Sequence, residues 1–173
     1  MCNPYLRKNL ILLIGITGDT HNNLKNISKI CEIFNSLQVD LVIHTGDITL
    51  PKSLRAFKAL NAKLIGVYGN NDQEEKKDLM KAATEFNCSF YDEPYCLKLN
   101  GVSVCIIHHP ELINEKMLDS SDAIVHGHTH KYRDETLEET LIFNPGECAG
   151  LLKGKNKVGL IQTENLKTEI VQF

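Results

Sequence analysis

The chain has 173 residues, 42% hydrophobic and 24% charged, which is the balance of an ordinary folded domain and excludes a disordered or fibrous chain. With 19 Lys and Arg against 22 Asp and Glu, the formal net charge is -3, so no bulk positive field exists to hold long nucleic acid or an anionic membrane. A chain of this length buries roughly 70% of its unfolded surface without staples, so residues 1–173 are expected to form one domain and any metal to be functional.

Leu10 to Thr17 is a nearly continuous apolar run, the pattern of a strand buried on both faces. Arg7 and Lys8 before it imitate a secretory leader, but the run is only about seven residues long and no small-residue cleavage site follows. From Leu24 the apolar residues Leu24, Ile27, Ile30, Cys31, Phe34 and Leu37 recur at threes and fours, a helical stripe. Asp40 to His44 then reads as a strand, Leu54 to Leu60 as a helix and Lys63 to Tyr68 as a strand. This β-α-β-α-β order favours a mostly parallel sheet with right-handed crossovers.

Gln73 to Asn87 predicts an exposed, charged helix. Ser89 to Tyr91, Cys96 to Leu99 and Val102 to Ile107 predict short strands, the last two joined by an Asn100-Gly101 hairpin turn. Helix is scarce beyond this point. Ala123 to His126, Glu135 to Leu137, Thr140 to Phe143, Lys157 to Thr163 and Lys167 to Val171 complete the strands, and the C-terminal half is expected to be an antiparallel sheet packed on the first. The fold class is therefore α/β with two sheets. No apolar run approaches the roughly 18 residues needed to cross a bilayer. Six cysteines, at 2, 31, 88, 96, 105 and 148, never fall at C-x-x-C spacing and are expected to be reduced thiols, which points to a cytoplasmic protein.

Polar residues collect where the strands end. The exits read Gly18-Asp19-Thr20-His21, His44-Thr45-Gly46-Asp47, Gly69-Asn70-Asn71-Asp72, His108-His109-Pro110 and His126-Gly127-His128-Thr129-His130. Carboxyl ends of strands in open α/β sheets line the ligand crevice, so these five segments converge. All seven histidines lie in these segments, His44 at the strand end just before Gly46-Asp47. Mixed carboxylate, imidazole and amide-oxygen donors suit Mn2+, Fe2+, Co2+, Ni2+ or Zn2+, whereas an all-oxygen set would suit Mg2+ or Ca2+. A carboxylate between two such ions would bridge them at ~3.5–4 Å.

In this order the motifs Asp19-Thr20-His21, Gly46-Asp47, Gly69-Asn70-Asn71-Asp72, His108 and Gly127-His128-Thr129-His130, with Asn144-Pro145-Gly146 following, resemble those of the calcineurin-like metallophosphoesterases. Within that superfamily the chain is similar to the small bacterial and archaeal phosphodiesterases, a family that also includes the retromer scaffold subunit. The resemblance runs from about Ile14 to Gly146 and implies a four-layer αββα sandwich. It assigns Asp19, His21, Asp47 and His130 to a first metal, and Asp47, Asn70, His108 and His128 to a second, with Asp47 bridging. The small family usually has Thr-His-Gly-His where this chain has Ile107-His108-His109-Pro110; His108 is chosen as the ligand and His109 is the alternative.

Such a site implies two divalent ions, Mn2+ first, with Ni2+, Zn2+, Fe2+, Co2+ or Mg2+ as alternatives. A metal-bridging hydroxide would act as nucleophile, water being acidified from 15.7 toward about 7. Neutral imidazoles are required, so activity is expected to fall below about pH 6. Many phosphatases of the superfamily carry a histidine where this chain has Asn71, which has no titratable proton for a leaving group. Asn71 and Asp72 are the residues assigned to catalysis beside the ligands, Asn71 on a phosphoryl oxygen and Asp72 orienting the turn or a histidine. The expected substrate is a small or nucleotide-like phosphodiester. Long nucleic acid, membrane, monoester hydrolysis and a retromer-type protein scaffold rank below it.

Overall fold

The computed structural model describes residues 11–173; Cys2, Arg7, Lys8 and the predicted strand start at Leu10 lie outside them. In chain order the strands are β1 (Leu13–Thr17), β2 (Leu41–His44), β3 (Lys63–Val67), β4 (Cys88–Tyr91), β5 (Tyr95–Leu99) and β6 (Val102–Ile106). They continue as β7 (Ala123–Val125), β8 (Arg133–Leu137), β9 (Thr140–Asn144), β10 (Lys157–Gln162) and β11 (Thr168–Gln172). The helices are α1 (Leu24–Ser36), α2 (Pro51–Ala56), α3 (Lys76–Ala83) and α4 (Glu115–Ser120).

One sheet has six strands in the order β11-β10-β1-β2-β3-β4, the other five in the order β5-β6-β7-β9-β8. β1 to β4 pair in parallel, as the alternating pattern requires, while β10 returns antiparallel to β1. Because side chains alternate across a strand, Val42 and Leu64 face the stripe of α1, with Ile30 and Phe34, and α2 and α3 add Leu54 and Leu79. Ile43, Ile65 and Val67 face the other way and meet Val104, Ile106, Val125 and Phe143 of the second sheet. On the outer face of that sheet, Ile124 and Ile142 are covered by Met117 of α4. These are the four layers αββα.

Three expectations change. The C-terminal half is not one antiparallel sheet: β7 is parallel to both β6 and β9, and β10 and β11 join the first sheet. Parallel pairing of β6 with β7 needs a crossover, and α4 supplies it, started by Asn114, whose side chain accepts the Met117 N–H at 3.1 Å. The predicted helix Gln73 to Asn87 is shorter, because Asn70–Asp72 winds as a 3-10 turn and the chain after Ala83 swings into β4. Finally, Cys96 and Cys105 form a disulfide across the β5–β6 hairpin, where the register sets them opposite each other. Among the described residues Cys31, Cys88 and Cys148 are free thiols, each pushed up to about 12 by burial. No helix of the described residues is long and apolar enough to cross a membrane.

Candidate metal centre

The exits of β1, β2, β3, β6 and β7 meet above one edge of the two sheets, and the backbone there is shaped before any side chain is considered. The Asp19 N–H donates to the Gly46 carbonyl at 2.8 Å and the His21 N–H to that of Asp47 at 2.9 Å, stitching the first exit to the second. Gly46 sits at φ +101°, and a Cβ on it would lie 2.6 Å from His108 Nδ1; a Cβ on Gly69 would lie 2.2 Å from Asp47 Oδ1. Asp19, His21, Asp47, His128 and His130 all adopt left-handed backbone, with φ between 45° and 67°. Asp and His tolerate this region better than most residues, and such conformations gather at functional sites.

Asp19, His21 and His130 form one group, each offering a donor atom within 4.8 Å of the others. His21 Nε2 and His130 Nε2 are 3.3 Å apart, and Asp19 Oδ1 is 3.7 Å from His130 Nε2. Glu147 fixes the tautomer of His130: its Oε2 lies 2.6 Å from Nδ1, so that nitrogen carries the proton and Nε2 keeps its lone pair. Glu147 Oε1 in turn accepts the Leu151 N–H at 2.8 Å.

His108, His128 and Asn70 form the second group. His108 Nδ1 lies 2.9 Å from the Thr45 carbonyl, an acceptor only, so its Nε2 is the free donor. That atom is 3.0 Å from Asn70 Oδ1 and 3.3 Å from His128 Nδ1, and Asn70 Oδ1 is 3.1 Å from His128 Nδ1. Asp47 Oδ1 lies 3.6 Å from His108 Nε2. Asp19, Asp47 and His108 also offer donors within 4.8 Å of one another, which joins the two groups. A cation with ligands at 2.0–2.1 Å has polyhedron edges of about 3.0–3.4 Å, which the 3.0–3.3 Å separations among the imidazoles and Asn70 match, the two carboxylate separations of 3.6 and 3.7 Å being wider.

The charges fit a cation as well. Asp19 and Asp47 are almost fully buried. Burial pushes the Asp19 carboxyl up to about 7, against the pull of His130 and with a push from Asp47. Burial also holds His21 and His108 below the ordinary histidine range, so both imidazoles are neutral near pH 7, the form that binds metal.

All seven predicted ligands are thus brought together. Asn71 lies beside them, its backbone N–H donating to Asp47 Oδ1 at 2.8 Å and its amide Nδ2 to Asp47 Oδ2 at 2.6 Å. Asp72 is a turn clamp: it accepts the N–H groups of Asp47 (2.9 Å), Gly69 (2.7 Å) and Thr49 (2.6 Å). Of its two expected roles it takes the turn, not a histidine. His44, at the end of β2, is fully buried between Thr20 Oγ1 and the Gly46 N–H, and burial pushes it down to about 3. Asn144 ties the fifth exit, donating to the Gly127 carbonyl at 3.2 Å and accepting from the Gly146 N–H at 2.8 Å.

Glu147 and Glu93 were not found from the sequence. Glu147 directly follows Asn144-Pro145-Gly146, whereas Glu93 lies 15 residues before His108 and next to none of the motifs; the signal for both is the need of a ligating histidine for a carboxylate on its other nitrogen.

A family model described as the calcineurin-like phosphoesterase superfamily domain matches residues 12–166. Phosphodiesterase MJ0936 of Methanocaldococcus jannaschii is 38% identical over 156 residues, covering 87% of this chain and 93% of the relative. Among solved structures, an archaeal phosphodiesterase superposes with a TM-score of 0.80 at 33% identity, over 94% of this chain and 100% of that one. Vps29 of Entamoeba histolytica complexed with zinc shares the fold, with a TM-score of 0.57 at 15% identity over 93% of this chain and 99% of that one.

Proposed function

The chain belongs to the calcineurin-like phosphoesterase superfamily, and from that premise we propose that it is a binuclear metal-dependent phosphodiesterase acting on a small or nucleotide-like diester. One observation supports the reading: Asp19 is common to the Asp19–His21–His130 group and to the Asp19–Asp47–His108 group, so two buried carboxylates stand between the two sets of imidazoles. Asp19, His21, Asp47 and His130 would hold the first ion, and Asp47, Asn70, His108 and His128 the second. When bound, two divalent ions supply Lewis acidity, acidifying water toward a pKa of about 7 and neutralising phosphoryl oxygens.

The chain's own residues do the rest. Glu147 and the Thr45 carbonyl hold the protons of His130 and His108 on Nδ1, which turns both Nε2 lone pairs inward. Asn71 orients Asp47 through one amide N–H and has a second to give a phosphoryl oxygen. It cannot protonate a leaving group, which favours a diester with a good leaving group over a monoester of a poor one. The similarity to relatives named phosphodiesterase supports the same choice. Mn2+ is the ion to try first.

The test is hydrolysis of a chromogenic aryl phosphodiester and the matching monoester by metal-stripped protein, with Mn2+, Ni2+, Zn2+ or Mg2+ restored singly. Metal-dependent diester turnover, reduced at least about a hundredfold in His128→Ala, is expected. Turnover of the monoester alone, or none from protein carrying both ions, would overturn the reading.

A further inference from the structure

His109 stands beside the seven assigned ligands, and its surroundings are those of a ligand too. His108, His109 and His128 each present a donor nitrogen within 4.8 Å of the other two. The His109 ring centre lies 4.7 Å from that of His128 and 4.7 Å, edge-on, from that of His108. Glu93 holds this ring in place. Its Oε1 is 2.5 Å from His109 Nδ1, while its Oε2 accepts the backbone N–H groups of His108 at 2.6 Å and His109 at 3.0 Å. Because Nδ1 faces an acceptor, it carries the ring proton, and Nε2 keeps a lone pair for a metal.

The same carboxylate-to-imidazole arrangement holds His130 through Glu147 at the other position, so the two halves of the centre each have a histidine anchored by a glutamate. At position 109 the pattern that this chain resembles has glycine, which offers no donor at all. The side chain is only about a quarter exposed, so it is a rim group turned toward the centre's histidines rather than a free surface residue.

We propose that His109 is an additional ligand of the ion at the second position, with Glu93 as its positioning residue. The proposal rests on the binuclear reading above. It gives that position three imidazoles beside Asn70 and Asp47, a donor set that favours Co2+, Ni2+ or Zn2+ over Mg2+.

The experiment uses the full chain, stripped with chelator and titrated with Co2+, following the visible ligand-field bands, with metal content measured after equilibrium dialysis. Wild type is expected to take two ions. His109→Ala is expected to keep the first and bind the second about a hundredfold more weakly, and Glu93→Gln about tenfold more weakly, with the Co2+ bands of the second ion altered in both. The preference of that position for Co2+ over Mg2+ should shrink in parallel. Circular dichroism of each variant separates loss of a ligand from loss of the fold. Two ions bound by His109→Ala with wild-type affinity and unchanged bands would overturn the proposal while leaving the binuclear reading intact. A wild type that takes fewer than two ions would overturn both.

Discussion

Asp19 shows how far a single residue at this centre is from its ordinary state. Buried beside Asp47, its carboxyl is pushed up to about 7, so in metal-free protein a proton and a cation compete for it near neutral pH. The proton is bound below about 7 and must leave for the ion to enter, so affinity for the first ion is expected to fall by up to about tenfold per pH unit below that value. Cation titrations at pH 6, 7 and 8 check this. Burial lowers His21 and His108, so protons compete with metal at these two imidazoles only at a lower pH than at Asp19. Glu147→Gln is expected to weaken the first ion by about tenfold to a hundredfold, because it replaces the charged acceptor that anchors the ring of His130 by a neutral amide without removing a ligand. Isothermal titration of metal-stripped protein would read it, and an unchanged first site would refute the orienting role.

At the scale of elements, the strand exits work as shaped turns. Asp72 gathers three backbone N–H groups from two different exits, so Asp72→Ala leaves buried donors without acceptors and is expected to cost about 3 kcal/mol in urea unfolding of the metal-free protein. A loss below about 1 kcal/mol would show that the turn is held by other contacts. The strands and α1 were legible because each shows strong periodicity, and α1 runs Leu24–Ser36 where the stripe placed it. α4 was missed: it has six residues, too few for a periodic pattern, and its one marker is the cap Asn114. The Cys96–Cys105 pairing is legible in principle, since a turn centred on Asn100-Gly101 sets these two residues opposite each other, although neither C-x-x-C spacing nor the apolar setting of the two cysteines reveals it.

For the molecule as a whole, the two sheets bring together donors that are up to 111 residues apart in the chain, Asp19 to His130, so bound ions tie both sheets into one structure. Ligands that bind only the folded state stabilise it by about 2.7 kcal/mol at a hundredfold excess over Kd. Chelation should therefore lower the melting temperature by about 5–10 °C, measured by differential scanning fluorimetry with and without chelator. A melting temperature indifferent to chelator and to added Mn2+ or Zn2+ would argue against ion binding by the folded chain.

The candidate ligands are readable in the sequence because Asp, His and Asn stand immediately after apolar strands, and strand ends must converge in an alternating α/β chain. His108 could be preferred over His109 on the same ground, being the first residue beyond the apolar run. The tertiary structure decided what local pattern does not encode. Strand order placed β10 and β11 on the first sheet, since pairing depends on contacts between residues far apart in sequence. Packing likewise set Glu147 on His130 and Glu93 on His109: the first pair is 17 residues apart and the second 16, and only the folded turns bring them within hydrogen-bond reach.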